Sequence, residues 1–184
     1  MSRLVEGADI GAQAYTAMKG FTAMEMLVVI AVAAVLAAFA WPSFASLLAE
    51  HRRIVAVNAL VATLQHARHA AATRARAVTV CAAHRDPGRC GDDWSRGWLA
   101  FLEPDGWRTG QPVPAANVVH RGGARTAVRV DANRGRFRFR PHGRATNGTF
   151  VLCSADPEAG ARLVVISPTG RVRNQAAAGA RCPE

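Results

Sequence analysis

The chain has 184 residues, half of them hydrophobic, and a formal net charge of +10; that length holds one domain plus an appendage, and that composition excludes a fully disordered polymer. The charge comes from 22 arginines and one lysine, Lys19, and it is concentrated, since residues 121–184 carry 12 basic and four acidic groups. An excess of that size points to a polyanionic partner or an anionic membrane, with solvated arginines of an arginine-rich proteome as the plainer alternative.

Residues 1–20 are mixed and polar and end in Lys19-Gly20. From Phe21 to Trp41 only Thr22 and Glu25 are strongly polar, and a helix over that run, at about 1.5 Å per residue, crosses about 30 Å of hydrocarbon. The positive-inside tendency keeps the Lys19 end cytoplasmic and places the bulk of the chain beyond the membrane. Ala38-Phe39-Ala40 imitates the cleavage site of an ordinary secretory signal, which would release a β domain beginning at Trp41. Glu25 beside the start of the run argues against it, because such signals carry basic residues there. A carboxylate inside hydrocarbon costs about 2.5 kcal/mol or more and tends to be functional, which singles out Glu25; the alternative is that it lies at the interface and reaches water.

Beyond Pro42, apolar residues recur at Phe44, Leu47, Leu48, Ile54, Val57, Val61, Leu64 and Ala71, with Glu50, Arg53, Gln65, Arg68 and Arg76 largely between them. This three-and-four spacing predicts an amphipathic helix over 43–76. Counted from Phe21, the two parts make about 56 residues, or about 84 Å at helical rise.

After Arg76 the pattern changes to short apolar or alternating runs at 77–83, 97–102, 127–131, 135–140, 149–153 and 163–167, divided by Gly, Pro and Asn. They predict an antiparallel sheet of five to seven strands over 77–184 with one face on the helix, and an α+β fold. Residues 103–126, rich in Gly and Pro, read as loop. Trp94 and Trp98 flank an apolar strand and are expected in the core. Glu103 and Asp105 lack the further oxygen ligands of a calcium loop and read as a solvated turn.

Cys81, Cys90, Cys153 and Cys182 are even in number and contain no C-x-x-C pair, which favours an oxidising compartment over a zinc site. Three pairings are possible; Cys81 with Cys90 closes a short loop through Asp86, Pro87 and Gly88 and leaves Cys153 with Cys182 to pin the tail. Four buried thiols are the alternative. Six histidines, at 51, 66, 69, 84, 120 and 142, form no metal-ligand motif, and His66 and His69, one helical turn apart, read as surface residues. No nucleophile elbow, phosphate loop or dinucleotide fingerprint is present, so neither an enzyme nor a resident cofactor or metal is expected.

Two arginine arrays remain. In Arg134-Gly135-Arg136-Phe137-Arg138-Phe139-Arg140 a strand would turn Arg134, Arg136, Arg138 and Arg140 one way and both phenylalanines into the core. Successive arginines would stand about 6.6–6.8 Å apart, near the spacing of phosphates along a nucleic-acid strand; equally, outward strand positions must be polar and arginine discourages edge pairing. The second array, Gly170-Arg171-Val172-Arg173, follows a Ser-Pro-Thr-Gly turn.

Gly20-Phe21-Thr22, Glu25 and the apolar run resemble the signal of type IV prepilins and pseudopilins, with Ala23-Met24 where leucine-isoleucine is usual. That resemblance implies cleavage by a prepilin peptidase between Gly20 and Phe21, a helix-kinking role for Pro42, and a filament in which the new amino terminus of a neighbouring subunit pairs with Glu25. Asp93-Trp94-Ser95-Arg96-Gly97-Trp98, Glu103-Pro104-Asp105-Gly106, Gly148-Thr149-Phe150-Val151-Leu152-Cys153 and Ser167-Pro168-Thr169-Gly170-Arg171-Val172-Arg173 resemble the GspH/FimT family of minor pilins and pseudopilins. The implied fold is the type IV pilin fold: a long helix, membrane-spanning in its first half, packed on a small sheet domain with a disulfide-pinned tail. The Gly170–Arg173 motif resembles the one some members use to bind double-stranded DNA in natural transformation; Gly135–Arg138 matches the same pattern within a strand. The expectation is a minor pilin, anchored in the inner membrane and then carried in a surface pilus, that binds extracellular DNA through its arginines. The alternative is a structural minor pilin or type II secretion pseudopilin that primes or caps a filament without DNA.

Overall fold

A computed structural model describes residues 22–123, 128–154 and 160–177. Contacts divide the chain into two units, Met1–Trp41 and Pro42–Glu184, and helix α1, Ala23–Thr73, supplies residues to both.

In the first unit the helix is opened by Thr22, whose Oγ1 accepts the Glu25 N–H at 3.2 Å while its carbonyl accepts the Met26 N–H at 3.1 Å. Threonine followed three residues later by glutamate is the capping-box arrangement, and a carboxylate in a first turn suits the positive end of the helix. Past Glu25 the helix is apolar on every side, and Met26, Leu27, Val28, Val29, Ile30, Val35 and Leu36 are all exposed. Water gives such a surface no compensation; a helix greasy all round is one built to be covered by lipid or other helices. Among the described residues no single unbroken helix is long and apolar enough to cross a membrane, but the segments Ala23–Phe39 and Phe44–Thr73 together meet that length and composition.

In the second unit α1 buries a stripe of Ala56, Val57, Leu60, Thr63, Leu64, Ala67, Ala70 and Ala71. The expected stripe shared Val57, Leu64 and Ala71 with it, but Ile54 is 41% exposed and Phe44 and Leu47 lie outside the core. Alanine decides the difference, because its small side chain lets strands approach the helix closely, so packing follows the alanine-lined face rather than the bulkier residues. Arg53, expected between apolar positions, is buried on this face, where it pairs with Glu50 and donates to the Gly160 carbonyl. The helix ends at Thr73, short of Arg76, and Ala75 at φ 50° turns the chain into the first strand.

The strands are β1 Val78–Ala83, β2 Cys90–Gly91, β3 Trp98–Leu102, β4 Val118–Gly122, β5 Val128–Ala132, β6 Arg136–Phe139, β7 Gly148–Ser154, β8 Ala161–Ile166 and β9 Val172–Ala177. They form two antiparallel sheets rather than one: β2-β1-β3-β4, with β6 also on β1, and β5-β7-β8-β9. Every residue of β3 is buried because its two faces meet different partners. Trp98, Ala100 and Leu102 join the main core with the α1 stripe, whereas Leu99 and Phe101 pack with Cys81, Val113 and Trp107. The segment expected as loop over 103–126 thus supplies strand β4 and a cover for the outer face of the first sheet. The Trp98 indole, 1% exposed, donates to Thr63 Oγ1 at 2.9 Å, and Thr63 donates on to the Ala59 carbonyl at 2.9 Å; helix and sheet are joined by a satisfied buried pair. Cys81 and Cys90 are disulfide-bonded across the β1–β2 loop. Cys153 is oxidised as well, and its expected partner Cys182 lies outside the described residues.

Candidate functional site

Gly20 and Phe21 lie outside the described residues. Glu25 sits on an exposed first turn of α1, its backbone fixed by Thr22 and its carboxylate at the head of the uncovered apolar surface. That is a location from which a carboxylate can meet a cation on another chain.

The first arginine array folds as the alternation requires only over Arg136–Phe139: in β6, Phe137 and Phe139 are buried while Arg136 and Arg138 are exposed, whereas Arg134 lies in a bend before the strand and Arg140 follows its end. Phe137 packs against Phe150 at 4.5 Å between ring centroids, and Trp94 meets Phe150 edge-on at 4.8 Å, so the strand carrying the arginines stands on a rigid aromatic floor. The arginines are not equivalent. Arg138 pairs with Glu103, whose other oxygen accepts the Thr79 hydroxyl at 2.6 Å, so most of its charge is answered within the protein. Arg136 donates to Thr109 Oγ1 and Arg134 Nε donates to the Asn147 carbonyl at 2.8 Å, both neutral partners. Arg140 opens a tight turn, its N–H donating to the Arg144 carbonyl at 2.8 Å.

That turn carries the first array to the second. The Ala145 N–H donates to the Pro168 carbonyl at 2.9 Å, which lays the 140–145 turn against the turn closing at Gly170. Gly170 holds φ +72°, and a Cβ there would lie 3.2 Å from the Gly143 carbonyl and 3.5 Å from Arg68 Nε. The turn is closed by the Gly170 N–H on the Ser167 carbonyl at 2.8 Å and by the Arg171 N–H on Ser167 Oγ at 3.0 Å. Beyond it β9 runs with Val172 half-buried between exposed Arg171 and Arg173, and Val172 packs on the main core. Contact between the two turns therefore brings Arg140 and Arg144, from the β6–β7 connection, near Gly170 and the Arg68 guanidinium of α1, with Arg171 following Gly170 directly and Arg173 lying within β9. Among the described residues none of these five pairs with a carboxylate. Sequence reading missed Arg68 and Arg144 as members, because only the contact between two turns far apart in the chain brings them to Gly170. Exposed guanidinium groups match phosphate oxygens in charge and donor geometry.

The Asp93 carboxyl is held below its ordinary range, chiefly by the Arg96 side chain, with the Ser95 N–H assisting; it caps the short helical turn Trp94–Arg96, a structural role. Among the described residues no group of three or more His, Cys, Asp or Glu is placed to hold a metal ion.

Solved structures share this architecture. The type IV minor pilin FimU of Pseudomonas aeruginosa superposes with a TM-score of 0.52 at 23% identity, covering 68% of this chain and 90% of that one. The minor pseudopilin EpsH from the type 2 secretion system of Vibrio cholerae superposes with a TM-score of 0.51 at 13% identity, covering 68% and 97%. No curated protein matches the chain. At these identities the likeness establishes the fold, which is that of the minor pilins and pseudopilins. The family described as type II transport protein GspH matches residues 56–170, more than half of the sequence, and the chain belongs to that family: it is a minor pilin or pseudopilin, a subunit that assembles with other pilins in a filament.

Proposed function

We propose that this subunit is a minor pilin of a type IV pilus that binds double-stranded DNA at the cell surface and serves its uptake in natural transformation. The observation that supports the reading is the contact of the 140–145 turn, which bears Arg140 and Arg144, with the Gly170 turn that precedes Arg171 and Arg173, beside the Arg68 guanidinium; among the described residues none of these five arginines pairs with a carboxylate. Phosphates along a duplex would be met by forked donors projecting from three different elements, a contact rich in charge and poor in base information. Under the same reading a prepilin peptidase cuts between Gly20 and Phe21. The apolar part of α1 anchors the subunit in the inner membrane and later lies in the filament, where Glu25 receives the amino terminus of a neighbour.

The test is duplex binding by the full chain in detergent micelles across a salt titration. Log affinity should fall linearly with log salt, and Arg171→Ala with Arg173→Ala should lower the slope by about 1.8. Unchanged binding in that double variant removes both residues from the mechanism. A second reading, a pseudopilin that primes or caps a secretion filament, is favoured by the family's own description as a type II transport protein; it predicts that loss of the gene impairs secretion and leaves transformation intact.

A further inference from the structure

Beside β6 lies a groove of about 800 Å³ that the Gly170 cluster does not share. Its walls carry Trp107, Arg108, Arg134, Arg136 and Arg138, with Glu103 as the sole carboxylate. We propose that this groove binds a short single-stranded segment of nucleic acid, with a base against Trp107 and the adjoining phosphates on Arg134 and Arg136. The ligand class rests on the DNA-uptake reading above, but the site and its specificity are separate from it.

The volume falls in the range that encloses one small ligand, roughly 300–1,000 Å³, and a duplex presents only a convex backbone to such a cleft. An aromatic wall also discriminates: a base stacks on an indole only after leaving its own stack, so Trp107 favours single strands over paired ones. The indole is fixed before any ligand arrives. It meets Phe101 near-perpendicularly at 5.0 Å, and its Nε1 donates to the Gln111 carbonyl at 3.3 Å, so little freedom is lost on binding.

The cations are fixed too. Thr109 holds Arg136 and the Asn147 carbonyl holds Arg134; each guanidinium has five N–H donors, and these contacts use one apiece. Glu103 would repel phosphate, but it is answered by Arg138 and by the Thr79 hydroxyl. Arg138 acts as the neutralising residue that leaves Arg134 and Arg136 for the ligand.

The experiment follows the anisotropy of fluorescein-labelled oligothymidylate and of a labelled duplex with the full chain in detergent micelles. Trp107→Leu should weaken oligothymidylate binding by about 5- to 160-fold, the range of one lost stacking contact, and leave duplex binding unchanged, whereas Trp107→Phe should retain most of the affinity. Arg134→Ala with Arg136→Ala, both at exposed positions, should lower the single-strand salt slope by about 1.4 even if the tryptophan variant folds poorly. Oligothymidylate affinity indifferent to these changes overturns the proposal, as does equal weakening of single and double strands. Polyglutamate bound with the same dependence on Trp107 would mark a site for acidic protein segments and overturn it as well. Oligothymidylate held in the groove with no duplex binding at all would keep this inference while sinking the duplex reading; the converse would do the reverse.

Discussion

Replacing Gly170 by alanine tests whether the turn itself assembles the cationic surface. The substitution introduces two costs. At φ +72° an L-residue in the left-handed region loses about 1–2 kcal/mol. The new Cβ would also stand 3.2 Å from the Gly143 carbonyl and 3.5 Å from both the Ala145 Cβ and Arg68 Nε, so the 140–145 turn must yield by a few tenths of an ångström. Gly143→Ala isolates the first cost, since Gly143 has φ +78° with nothing within 4 Å of its Cβ position. Gly143→Ala should therefore lose about 1–2 kcal/mol, or about 2–8 °C in melting temperature for a chain of this size, and Gly170→Ala at least as much. Only Gly170→Ala should also weaken duplex binding, by several-fold, because only it pushes the turn bearing Arg140 and Arg144 away from Arg171. Thermal melts and duplex anisotropy on both variants at one salt concentration decide the matter. Equal duplex affinity in the two, with both folded, would refute the claim that contact between the turns creates the site.

Other consequences follow from single interactions. Trp98→Phe keeps the ring volume roughly but removes the indole donor to Thr63; urea denaturation should show a loss of about 1–2 kcal/mol, that of a buried hydrogen bond plus trimmed packing. Serine at both Cys81 and Cys90, whose separation is nine residues, should cost about 2.5 kcal/mol on the chain-entropy estimate, seen as a lower melting temperature under oxidising conditions only. Asp93 has a folded pKa below its unfolded value of about 3.9, chiefly through the Arg96 side chain. Its stabilising contribution is therefore complete above that pH and disappears as pH falls through the lower folded value. With the side chain 46% exposed, that contribution is a few tenths of a kcal/mol at most, and Asp93→Asn should flatten the acid limb of the stability curve slightly without altering it near neutrality.

What the sequence made legible was local. The Arg-Phe-Arg-Phe alternation told which β6 side chains face inward, and the greasy run after Glu25 told that the first unit of α1 is uncovered, because in both the period of the chain is the period of the burial. Legibility failed where burial is decided at a distance. The helix stripe took in Ala56, Ala67 and Ala70 because small side chains let the strands approach that face closely. Strand β4 hid among glycines and prolines because its pairing to β3 includes a register shift between Ala100 and Phe101. Strand β9 hid because it is an edge strand, half-buried only at Val172 and Ala177, so its Asn174-Gln175-Ala176 has no apolar alternation to read. Arg68 and Arg144 were invisible as site members for the same reason.

The division of the β6 arginines has a physical logic that an even row would lack. Four guanidinium groups at alternate positions over 134–140, two of them within β6, repel one another, and one carboxylate, Glu103 on Arg138, offsets part of that repulsion. It also separates the remaining charge into two regions: Arg134 and Arg136 toward the Trp107 groove, and Arg140 toward the Gly170 turn. Neutralising the charge at this point therefore acts on both regions at once. Glu103→Gln would release Arg138 and restore an unbroken row, raising nonspecific affinity for any polyanion while eroding the preference of each region for its own ligand. On the proposed reading, specificity would depend on the one negative charge as much as on the positive ones around it.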